Sequence, residues 1–239
     1  MRNKIRKALR EGGPFLLIQR SVNFVYRNIL EDYDFRRARR LNGVQIYSDK
    51  FLEPIIPERK TGDDPDYEKE LVESLEENIL SDDDVTIIGG GFGVTAFRAE
   101  EHTDGEVVVY EASEEQVDII KRSKRLNNSE VQVFHAIVGE EKDVWGKPGE
   151  AKRIDPKEIE NCDILELDCE GSELDILRKI EFSPRVIVVE THGHLGASTD
   201  DVRSLLKGKG YSIESEKNVG DDAKSGSLDV KILVAERND

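Results

Sequence analysis

Long apolar runs, cysteine and positive charge are all scarce in this chain of 239 residues. No stretch approaches the ~18 to 20 consecutive apolar residues of a membrane-spanning helix, and Phe15-Leu-Leu-Ile18 is too short for a secretion-signal core. These absences exclude a spanning helix and lead us to expect a protein made and kept in the cytoplasm. The two cysteines, Cys162 and Cys169, flank one apolar run, whose extended length of about 20 Å or more is far too great for a direct bridge. Both read as free thiols. No cysteine–histidine zinc spacing, nucleophile elbow or phosphate-binding P-loop occurs.

Basic residues are outnumbered 35 to 51 by acids, for a net charge of −16. The deficit is uneven: the first 40 residues hold eleven Lys/Arg against four acids, so the remainder carries −23. A body that acidic repels phosphates, which argues against a nucleic acid partner. Surface carboxylate in such excess also keeps proteins soluble at very high salt, so we expect a salt-loving host.

What is present suggests one core with an appendage. Within residues 1–66, Ile18, Val22, Val25 and Ile29 fall at helix spacing among basic neighbours. This basic amphipathic segment has two readings, a helix packed on the body or over its pocket, and a peripheral contact of residues 1–40 with the cytoplasmic face of a membrane. Pro54, Pro57, Gly62 and Pro65 mark residues 42–68 as a connection with short strands. Residues 67–239 then alternate in period. Strands are expected at 85–88, 106–111, 131–138, 163–168, 185–191, 211–217 and 228–236, and helices at 67–80, 93–101, 114–126, 172–180 and 199–209. Helix-length crossovers predict an α/β, doubly wound, seven-stranded and mostly parallel sheet of Rossmann-like type, and the missing helix before the last strand predicts an antiparallel C-terminal hairpin.

Parallel strands ending together make a crevice at their carboxyl edge. Three motifs converge there. Gly89, Gly90, Gly91 and Gly93 follow a strand and open a helix, Glu111 ends the next strand about twenty residues on, and Leu165-Glu-Leu-Asp-Cys-Glu-Gly-Ser-Glu173 brings acids to the end of the fourth. A glycine turn with a ribose-binding carboxylate points to an adenosine-containing ligand, and leaves NAD and S-adenosylmethionine both open. The acids Asp168, Glu170 and Glu190 are also hard oxygen ligands suited to a divalent cation. Glu173 reads as a helix-start acid and His192, in Thr-His-Gly-His, as either a functional group or an ordinary loop histidine.

With its antiparallel final pair, the string from Leu165 to Glu173 resembles the signature of the FkbM family of S-adenosylmethionine-dependent methyltransferases. The likeness extends over about residues 83–236 and takes in Glu111, Asn127, Asn128, Ala136 to Gly139 and Val189-Glu-Thr-His192. It implies a class I methyltransferase fold, Gly89, Gly91 and Gly93 along the donor's amino acid portion, Glu111 on its ribose and Ala136 by its adenine. It also implies methyl transfer to a sugar oxygen near Asp168, Glu190 and His192, where a hydroxyl acceptor needs a base or metal and a carboxylate needs neither. The chain is similar to haloarchaeal methyltransferases that modify a hexuronic acid during N-glycan assembly, which implies a sugar or glycolipid acceptor. It departs from the family at Ile87 and Ile88, where an acid often precedes the glycines. A nicotinamide-dependent oxidoreductase and a non-catalytic scaffold are the alternatives.

Overall fold

The computed structural model describes residues 38–48, 63–139, 147–219 and 229–238. The chain divides into two units, Met1–Ala38 with Ser48–Gly62 and Arg39–Tyr47 with Asp63–Asp239, and the architecture below is that of the second. Of the basic helical segment expected over residues 1 to about 40, residues 1–37 lie outside the described residues, and from Ala38 the chain is strand rather than helix.

Strands β1 (Ala38–Leu41) and β2 (Val44–Tyr47) form a hairpin. Asn42 and Gly43 take positive φ of 45° and 82°, the pattern of a two-residue turn whose twist matches its strands. The main sheet has the order β6-β5-β4-β3-β7-β8-β10-β9. Its members are β3 (Val85–Ile88), β4 (Val107–Glu111), β5 (Gln132–Val138), β6 (Lys152–Ile154), β7 (Ile164–Leu167), β8 (Val186–His192), β9 (Tyr211–Asn218) and β10 (Val230–Arg237). Strands β3 to β8 pair in parallel, while β10 runs antiparallel to both β8 and β9. The seven expected strands and the terminal hairpin are all present. A three-residue strand, β6, joins the edge as an eighth, too short for its period to show in the sequence.

Every residue of β3 and β7 is buried, as two-sided coverage of central parallel strands requires. Helices α1 (Lys69–Glu76), α2 (Val94–Glu100) and α3 (Glu114–Asn127) place Leu71, Leu75, Phe97 and Ile120 in one core with Ile87, Val109, Ile164 and Val188. On the other face, α4 (Glu173–Lys179) and α5 (Thr199–Gly208) pack Ile176, Leu177, Val202 and Leu206 on Ile88, Leu165, Leu167 and Ile187. The β1–β2 hairpin is stitched to α3: Asn127 accepts from the Gln45 N–H at 3.1 Å and donates to the Gln45 carbonyl at 2.8 Å. Tyr47 N–H adds a bond to Ser123 Oγ at 2.8 Å. The strand order reverses between β3 and β7, the switch point at which open α/β sheets form their ligand crevice.

Candidate active site

The glycine turn is built against the end of β7. Gly89 has φ of 97°, and a Cβ there would stand 1.7 Å from the Asp168 carbonyl oxygen, so any side chain would collide with backbone. Asp168 N–H bonds to the Ile88 carbonyl at 3.0 Å, fixing that approach. Gly91 and Gly93 also have positive φ, 50° and 84°. Glu111, almost fully buried at the end of β4, holds the turn: Oε2 accepts from Gly91 N–H at 2.9 Å and Oε1 from Ser113 N–H at 2.6 Å. Burial raises its carboxyl above the usual range, and these backbone donors counter the rise. Ala136 is buried in β5, one residue beyond His135, the register partner of Glu111.

The second half of the site comes from β7 and β8. One step beyond the Leu167–Val189 pair, register sets Asp168 beside Glu190, and period two puts His192 on the same face. Ligand atoms of Asp168, Glu190 and His192 all lie within 4.8 Å of one another. His192 Nε2 is 3.6 Å from Asp168 Oδ1, 3.7 Å from Glu190 Oε1 and 3.9 Å from Glu170 Oε2. Its Nδ1 is 2.6 Å from Glu173 Oε1, which also accepts from Gly171 N–H at 3.1 Å. Glu173 does open α4 as the sequence suggests, yet it is wholly buried, and its side chain fixes an imidazole rather than a helix end.

Two further acids of the site escaped the sequence reading. Glu68, immediately before α1, sits in left-handed backbone at φ 48°, a conformation that costs a non-glycine residue energy and concentrates at functional sites. Its Oε1 lies 3.8 Å from where a Cβ on Gly91 would be, so the carboxylate overlooks the glycine turn, and the Tyr67 side chain hydrogen-bonds to it. Glu166 lies in the middle of β7 with no exposed surface and no hydrogen-bond partner at either oxygen. A charge inside Ile164-Leu-Glu-Leu167 was its available signal. Glu68 had none, since it arrives from a stretch that reads as connection.

The cluster raises its own proton affinities. Burial, then the Asp168 charge, pushes Glu68 up to about 8. Burial and Asp168 likewise take Glu190 to about 9, and burial takes Asp168 to about 6 against the pull of His192. Burial opposes protonation of His192, but the Glu173 bond and the Asp168 charge outweigh it and bring the imidazole to about 9. Burial, then Asp168 and Glu68, lifts Glu166 well above the carboxylate range. Among the described residues, His192 is the only basic group within ion-pair distance of these acids.

Residues 129–213 match the family model of the methyltransferase FkbM domain. No curated protein sequence matches the chain. Among solved structures, the chain is similar to the tRNA m1G37 methyltransferase of M. jannaschii at a TM-score of 0.54 and 12% identity, over 85% of this chain and 57% of that one. It is similar to Trm5b of Pyrococcus abyssi at 0.53 and 14%, over 84% and 55%. The precorrin-6y C5,15-methyltransferase of Geobacter metallireducens superposes at 0.48 and 15%, over 73% and 90%. The chain thus spans just over half the length of the first two proteins, and with them it shares a fold.

Proposed function

We propose that this S-adenosylmethionine-dependent methyltransferase transfers its methyl group to an oxygen of a sugar, in a lipid-linked or surface glycan of a protein N-glycosylation pathway. The observation that carries the reading is the convergence of Asp168, Glu190 and His192 at the edge of the glycine turn. The FkbM match over residues 129–213 supports S-adenosylmethionine as the cofactor over the nicotinamide and scaffold alternatives. In this reading the donor's amino acid portion lies along Gly89, Gly91 and Gly93, its ribose on Glu111 and its adenine by Ala136. Glu68, beside Gly91, receives the donor ammonium, in place of the acid that Ile87 and Ile88 do not provide.

Sulfonium chemistry needs a placed nucleophile more than acid assistance, because the departing thioether is neutral. Three carboxylates around the acceptor position repel an ionised hexuronic carboxylate and suit a neutral hydroxyl, whose proton must then leave. A net charge of −16 also disfavours a nucleic acid acceptor and suits work at high salt. A glycan on a lipid carrier would bring the basic residues 1–40 to the cytoplasmic membrane face, a placement tested by vesicle flotation with and without that segment. Methylation is tested by mass spectrometry of surface glycans from cells with and without the gene, the expected difference being one methylene. The acceptor is read from His192→Ala and Glu190→Gln. Loss of transfer with donor binding intact means a hydroxyl, and near-normal rates mean a carboxylate.

A further inference from the structure

We propose that Asp168, Glu190 and His192 together bind a divalent cation of the Mn2+ class, which holds and acidifies the acceptor hydroxyl; this rests on the methyl-transfer reading above. The argument begins with His192, which is 5% exposed. Its Nδ1 is committed to Glu173, while its Nε2 makes no hydrogen bond and points among three carboxylate oxygens at 3.6, 3.7 and 3.9 Å. Those separations are too long for hydrogen bonds. They suit atoms sharing an ion at about 2.1–2.3 Å each, which leaves neighbouring ligand atoms about 3–4 Å apart. At Nε2 no carboxylate comes to the roughly 2.8 Å at which a protonated imidazole holds an ion-pair partner, in contrast to Glu173 at Nδ1.

The surroundings have the form of a ligand's support. Glu173 has no exposed surface, its Oε1 is anchored by Gly171 N–H, and it binds Nδ1 at 2.6 Å. A carboxylate on the far nitrogen fixes the tautomer that leaves a lone pair on Nε2 and orients the ring, the usual outer shell of a metal-bound histidine. Two carboxylates with one imidazole mix hard and borderline donors, a set that fits Mn2+ or Fe2+ better than an all-oxygen site fit for Ca2+. Three protein ligands are fewer than the roughly six such an ion takes, so an acceptor hydroxyl could complete the set.

The chemistry then balances. In the proposed site the acceptor O–H would coordinate the ion, which acidifies it, and release its proton to solvent. The oxygen lone pair forms the O–CH3 bond as the S–CH3 pair returns to sulfur, which leaves as neutral thioether.

The test uses the full chain, stripped with chelator, dialysed and titrated with Mn2+, free ion being read by electron paramagnetic resonance. One site per chain is expected, weakened at least about 100-fold by His192→Ala or Asp168→Asn. Glu173→Gln, a positioning change, should weaken it about 10- to 100-fold. Circular dichroism checks folding, and where His192→Ala does not fold, Asp168→Asn, which keeps the shape, carries the decision. S-adenosylhomocysteine is titrated into the same stripped protein. Thioether binding without Mn2+ binding, or Mn2+ binding indifferent to these variants, overturns the metal site and spares the methyl-transfer reading. If neither ligand binds, both are overturned.

Discussion

Replacing Glu68 by Gln removes the ability to ionise opposite a bound ammonium and almost no volume, and it separates the two ends of the donor. The carboxylate overlooks Gly91, 3.8 Å from a Cβ position there, and stands in a crevice whose other charged groups are mainly acids. A charge-assisted bond to the donor ammonium in such a place is worth about 1.5–3 kcal/mol, so Glu68→Gln should weaken donor binding about 10- to 150-fold. Calorimetry with three ligands localises the loss. S-adenosylmethionine and S-adenosylhomocysteine carry the ammonium and should both lose affinity, whereas methylthioadenosine lacks the amino acid portion and should bind the variant and the parent alike. A uniform loss across all three would make Glu68 a structural residue, and no loss for any of them would refute the assignment.

Further outcomes follow from the same geometry. Glu111→Gln, which cannot accept from both Gly91 and Ser113 without turning an amide N–H toward one of them, should weaken methylthioadenosine as strongly as the full donor, by about 10-fold or more. Gly91→Ala, whose methyl would meet Glu68 Oε1 at an ordinary 3.8 Å but at φ of 50°, should cost about 1–2 kcal/mol in denaturant unfolding. Gly89→Ala should cost clearly more, since its Cβ meets the Asp168 carbonyl, and equal costs would refute that close approach. Stability of the ligand-free protein should fall as pH rises from about 6.5 to about 9. His192 is raised from 6.5 to about 9, so its contribution is full below 6.5 and lost through 9. Glu68 and Glu190, raised from 4.5 to about 8 and about 9, bind protons more tightly folded than unfolded and add the same downward slope. Melting temperature against pH at fixed salt checks this, and a flat or rising profile would contradict it.

The sheet was legible because its central strands are buried on both faces and stopped by glycines or acids. Val85-Thr-Ile-Ile88 runs straight into Gly89, and its expected ends coincide with β3. The meeting of Asp168, Glu190 and His192 was legible for the same reason, since parallel register and period two carry residues at strand ends to one edge. What stayed hidden depends on contacts distant in sequence. Glu68 reaches the glycine turn from a stretch whose prolines and glycine signal only a connection, and the burial of Glu173 against His192 follows from how α4 docks rather than from any local pattern. Likewise, Asn127 closes a helix by letter, yet its amide serves as a pairing partner for the backbone of β2.

With no room for a side chain between Gly89 and the Asp168 carbonyl, the glycine turn and the end of β7 share a wall. A displacement of one, when a nucleoside settles or leaves, must be taken up by the other. If the proposed donor and acceptor positions hold, the spacing between methyl and target oxygen is set by main chain rather than by adjustable side chains, and variants that retune acceptor choice should be sought in Glu170 and the loop after β8 and not in that wall.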